Sequence, residues 1–159
     1  MVARQKILYL HKFGVEQILL VAVKVKPFSL KPENLSFDES TGKYTLVNIK
    51  GKGGRVRSCP ILSKEAVERI KNTTAGQNVW SKIPSRADIH SYRADYCKLL
   101  YQSHARPIAE IPKNERYYCR GDLSGVIYDK RAMLIASKAL SHNRFCVIAG
   151  HYLHSGRET

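Results

Sequence analysis

The stretch "ALSHNRFCVIAGHYLH" (residues 139–154) places His142 ten residues before Tyr152, with Asn143 and Arg144 directly after the histidine. A phenol with a pKa of about 10 is a weak nucleophile at neutral pH. It attacks phosphorus usefully only where cations hold the phosphate and stabilise the charge that develops. The chain carries such cations upstream, at Lys52, His90 and Arg93. The simpler reading is packing, since Ile148 and Tyr152 are four apart and share a helix face.

In "HSYR", His90 and Arg93 are three apart and share one side of a helix. An imidazole beside a guanidinium offers one metal ligand, so the pair suits a phosphate better than a metal. Arginine grips two phosphate oxygens in a fork, and histidine adds a donor or moves a proton. The alternative is a solvated helix face. In "IKGKGGRVR", Lys50, Lys52, Arg55 and Arg57 crowd a glycine-rich turn. Glycine lets backbone approach a ligand closely, yet no Walker A pattern is present, because no GK[ST] follows. These residues suit contacts to nucleic acid or to solvent.

The elements that must carry these groups read as follows. "FDESTGKYTLVNI" passes from turn residues into a strand in which Tyr44, Leu46 and Asn48 alternate with Thr45, Val47 and Ile49. "RVRSCPI" is a second strand, closing a β-hairpin with a basic tip. Ser63 caps a helix to about Lys71. Asp88 starts a longer one, "DIHSYRADYCKLLYQSH", with Ile89, Tyr92, Tyr96, Leu99 and Leu100 as its apolar stripe. Residues 105–128 are a long polar connection. Asp129 caps a further helix, on which Met133, Ala136, Ser137 and Leu140 share a face, and "RFCVIAGHYL" opens a last short helix. Residues 4–12 and 15–24 suit helix or strand equally. The expected fold class is α+β, mostly α-helical, with one small antiparallel sheet.

Twenty-seven Lys and Arg against thirteen Asp and Glu leave a formal charge of +14. That excess suits a polyanion, double-stranded DNA or RNA, or an anionic membrane surface. The apolar run "ILLVAV" (18–23) is too short to span a bilayer, and "MVARQK" does not open a secretory signal. Cys59, Cys97, Cys119 and Cys146 form no CxxC pair. Reduced thiols and a cytoplasmic protein are expected.

In order, Lys52, HxxR, His142 and Tyr152 resemble the catalytic domain of the tyrosine recombinases, the phage integrase family, and within it the integrases of mobile elements in Gram-positive bacteria. "KGKGGRVRSCPIL" resembles the lysine-bearing hairpin of that family, "DIHSYRADY" its His-x-x-Arg helix, and "SKALSHNRFCVIAGHYL" its Leu-Gly-His motif running into the tyrosine. The resemblance covers about residues 28–154. It implies that Tyr152 attacks a scissile phosphodiester and becomes linked to the 3′ phosphate. Lys52 then protonates the departing 5′ oxygen, Arg93 grips the non-bridging oxygens, His90 assists as acid or base, and His142 donates a hydrogen bond to the phosphate. It further implies DNA contacts from Lys50, Arg55, Arg57 and Arg144, no metal and no other cofactor. Strand exchange would proceed in a homo-tetramer on DNA.

The sequence departs from that pattern in four ways. The family has an arginine ahead of a turn that "SLKPENL" resembles, but no arginine lies between Gln5 and Arg55. Lys24 or Lys26 would have to stand in, without the bidentate fork. Residues 1–159 are expected to be one catalytic domain, with 1–27 a poorly matched start and no N-terminal DNA-binding domain. Ser141 stands where the motif has glycine, at a left-handed helix terminus. The connection from Arg93 to His142 is long, and its "RYYCRGD" stretch is either a DNA-contacting loop or a packed surface insert. A chain lacking the first arginine is also open to a second expectation, a catalytically inactive DNA-binding remnant.

Overall fold

A computed structural model describes residues 30–50, 54–80, 89–142 and 144–154. Lys24, Lys26, Lys52, the cap at Asp88, Asn143 and the ambiguous stretches 4–12 and 15–24 lie outside the described residues. The described part is α+β and divides into two compact units between Tyr92 and Arg93.

The first unit holds three antiparallel strands in the order β1 (Leu35–Asp38), β2 (Lys43–Lys50) and β3 (Val56–Pro60), followed by α1 (Lys64–Lys71). β2 and β3 are the expected hairpin, and β1 adds a strand that "FDES" had hidden as a turn. The strict alternation expected along β2 fails at one place. Leu46 and Ile49 are both buried, at 2% and 7% exposure, although they are three apart. The register shifts between these two residues, and Asn48 sits there with φ 58°. A bulge moves the following side chains to the opposite face, and asparagine tolerates the left-handed conformation better than most residues. Ile49 thereby joins Leu46, Cys59, Ala66, Ile70, Val79 and Trp80 in this unit's core. Ser63 caps α1 as expected, its hydroxyl accepting from the Ala66 N–H at 3.2 Å.

Helix α2 (Ile89–His104) begins in the first unit, and from Arg93 onward it belongs to the second. The connection that follows is not plain loop. Arg116–Tyr118 (β4) and Ile127–Asp129 (β5) pair antiparallel, so the described residues hold two small sheets where one was expected. Tyr128 meets Tyr101 of α2 edge to face at 5.5 Å. Ile111 and Cys119 are buried. Within "RYYCRGD", Cys119 is buried, whereas Tyr118, Arg120 and Asp122 are exposed. Three-residue strands elude pattern reading because they are too short for an alternation to register.

The segment is tied down by Asp129, whose side chain is fully buried. Its carboxylate accepts from Arg106 Nε at 2.8 Å and Arg106 Nη2 at 2.9 Å. It also accepts from the Arg131 N–H at 2.9 Å, capping α3 (Lys130–Ala139). The Asp129 N–H in turn donates to the Tyr101 hydroxyl at 3.0 Å. A buried carboxylate is tolerated only when its lone pairs are met in this way. The Arg106 guanidinium, with help from the Arg106 and Arg131 N–H groups, outweighs burial and holds the carboxyl at about 2, down from 3.8. A depressed carboxyl contributes stability that is present above its unfolded value and is lost as pH falls through its folded value. Asp129→Asn is therefore expected to cost about 3 kcal/mol. It should also flatten the fall in stability between about pH 4 and pH 2. Urea unfolding of both proteins across that range checks both effects.

Candidate active site

α3 ends in a way that delivers His142. Leu140 is its C-cap, and Ser141 follows in the left-handed region at φ 59°. The Ser141 N–H donates to the Lys138 carbonyl at 3.1 Å and the His142 N–H to the Ser137 carbonyl at 2.9 Å. This pair of bonds is the Schellman arrangement, which closes a helix when the residue after the cap turns left-handed. The expectation for Ser141 thus meets a measurable conformation, one that glycine would adopt without a Cβ penalty.

Beyond the turn, α4 (Phe145–Val147) runs directly into a π-helical segment, Ile148–Leu153, whose wider winding is marked by the His154 N–H donating to the Ala149 carbonyl at 3.0 Å. Such segments are rare and concentrate at functional sites. This one carries Tyr152. The ring is 8% exposed and Ile148 is fully buried, so the packing reading is correct for the ring. The hydroxyl has a second role, since it lies 2.9 Å from His142 Nε2.

Arg93 completes the line. It is 2% exposed on α2, and its Nη2 donates to the Leu140 carbonyl at 2.9 Å. The same nitrogen is 3.5 Å from His142 Nε2. A guanidinium has donors only. Assigned from this network, the tautomer with a lone pair on Nε2 suits both neighbours, facing the arginine and accepting a hydrogen bond from the Tyr152 hydroxyl. A phenol hydrogen-bonded to an acceptor imidazole, with a fixed cation behind it, is an arrangement able to pair a nucleophile with a base.

Three of the five expected catalytic residues, Arg93, His142 and Tyr152, thus converge within the second unit. His90 is exposed, one turn before Arg93 on α2, and Lys52 lies outside the described residues. Of the expected DNA contacts, Lys50 and Arg55 are exposed on the hairpin arms, Arg57 is half-buried on β3 opposite Ile49, and Arg144 is exposed just before α4. Two contributors escaped sequence reading. The Leu140 carbonyl is a backbone group and leaves no mark in a sequence. Ser137 did leave one, as a hydroxyl on the apolar face of α3. Cys97, four residues after Arg93 on α2, is buried, and its thiol is pushed up to about 12 chiefly by that burial. It stays protonated and unreactive. No group of three potential metal ligands is present among the described residues. Nor is any described helix long and apolar enough to cross a membrane.

Ser141→Gly is expected to raise stability by about 1 kcal/mol by relieving the left-handed strain, with Ser141→Val lowering it. The urea midpoint should move while the slope stays constant.

Comparison with protein-family models, curated proteins and solved structures gives no match.

Proposed function

We propose that this chain is the catalytic domain of a tyrosine-type DNA recombinase, cleaving and rejoining DNA strands through a 3′-phosphotyrosine intermediate. The observation that carries the reading is the unbroken line from Arg93 through His142 to the Tyr152 hydroxyl. The order of Lys52, HxxR, His142 and Tyr152 along the chain supports it, as does the +14 charge.

In this reading a backbone phosphate of duplex DNA enters beside Tyr152. The phenol oxygen attacks phosphorus as its proton passes to His142 Nε2. The new imidazolium donates a hydrogen bond to the phosphate, so one nitrogen serves as base first and donor second. Arg93 counters the charge on the non-bridging oxygens. The P–O5′ bond breaks, and Lys52 protonates the departing oxygen, with His90 assisting. The phosphotyrosine conserves the bond energy, so a 5′ hydroxyl from a second strand reverses the step and releases the tyrosine. In the full assembly a tetramer would hold both DNA sites.

A nicked duplex that loses its short 5′ fragment after cleavage should trap a covalent adduct on a denaturing gel. Tyr152→Phe should abolish the adduct, and His142→Ala should slow its formation by about 100-fold or more. If the unaltered protein forms no adduct, the enzyme reading falls.

The missing arginine between Gln5 and Arg55 favours a second reading, a DNA-binding remnant without turnover. Both readings predict that log affinity for duplex DNA falls steeply with log salt, by a slope set by the number of phosphates contacted. Affinity unchanged between low and physiological salt would contradict both. Only the first reading yields the covalent band.

A further inference from the structure

We propose that Ser137 is a positioning residue for His142, setting the direction of the imidazole toward Tyr152. The inference rests on reading the Tyr152–His142–Arg93 line as the reacting site. It begins from a residue out of place. Ser137 is 1% exposed, on the face of α3 where Met133, Ala136 and Leu140 are also buried. A buried hydroxyl is costly unless it is hydrogen-bonded, and alanine would serve the helix better.

A serine within a helix commonly bonds back to the carbonyl a turn earlier. Here the hydroxyl reaches forward, past the end of α3, and donates to the His142 carbonyl. The Ser137 carbonyl meanwhile accepts from the His142 N–H at 2.9 Å. One residue therefore holds both polar backbone groups of His142. With that backbone fixed, only two side-chain torsions remain to aim Nε2. The turn itself would survive on the backbone bond alone. What the hydroxyl adds is a restraint on the His142 carbonyl, and hence on the plane from which the ring projects.

Two measurements on Ser137→Ala and Ser137→Thr test this. The first is the rate of adduct formation on the nicked duplex, alongside duplex affinity. Ser137→Ala should slow the adduct by about 10-fold or more, since misplacement of a reacting group by an ångström can cost 100-fold. Its duplex affinity should stay within about twofold, because the overall surface is kept. Ser137→Thr retains the hydroxyl and should recover most of the rate. The second is the ¹⁵N spectrum of the histidine rings in the protein without DNA. The His142 Nε2 signal should move in Ser137→Ala in the same direction as in Tyr152→Phe, and return in Ser137→Thr. A wild-type adduct rate in Ser137→Ala, or an unmoved Nε2 signal with only a lower melting temperature, would reduce the hydroxyl to a structural role and overturn the proposal. If the unaltered protein forms no adduct, the recombinase reading fails, and the ring spectrum still decides the role of Ser137.

Discussion

The buried carboxylate of Asp129 is the constraint on which the second unit depends. It is fully desolvated, which is unfavourable for a bare charge, and the chain meets that cost with a guanidinium and backbone N–H groups. Each partner belongs to a different stretch of sequence. Arg106 fixes the exit of α2, the Arg131 N–H starts α3, and the Asp129 N–H bonds the Tyr101 hydroxyl in the last turn of α2. Arg106 also reaches Glu115 at 2.5 Å, which ties in the turn before β4. The segment between α2 and α3 is held besides by the β4–β5 pairing and the Tyr101–Tyr128 ring contact. Without the Asp129 carboxylate, α3 would lose the cap that sets where it begins.

The position of α3 matters because its other end holds the site. A helix fixed at its first residue delivers its last carbonyls to a defined place. One of them, at Leu140, receives Arg93. The left-handed Ser141 then turns the chain so that His142 faces Tyr152. Arg93 and His142 are thus held by backbone groups at the close of a helix, and the Tyr152 hydroxyl meets the His142 ring. Such a site is restrained before any ligand arrives, which is the condition under which fixed dipoles and charges are most effective. Serine at 141 retains the turn at a modest energetic cost.

Much of this was legible in the sequence, for identifiable reasons. Ser63 and Asp129 announced two helix starts, because a short polar side chain before an apolar period has few other uses. The convergence of Arg93, His142 and Tyr152 was expected from the order of residue types and from a resemblance, not from periodicity. Three features stayed hidden. The bulge at Asn48 reverses the faces of β2 through one backbone torsion that no alternation pattern records. The pairing of β4 with β5 involves three residues on each side, below the length at which a period can be seen. The π-helical winding around Tyr152 differs from an α-helix in hydrogen bonds that span one residue more, and the spacing of Ile148 and Tyr152 does not tell the two apart.

The central claim is that the phenol of Tyr152 is the attacking group. It is tested most directly by identifying the residue that carries the DNA. A trapped complex, digested with protease and nuclease and sequenced by mass spectrometry, should leave a nucleotide joined through its 3′ phosphate to the peptide containing Tyr152. A nucleotide on any other residue, or a joint through a 5′ phosphate, would contradict the account.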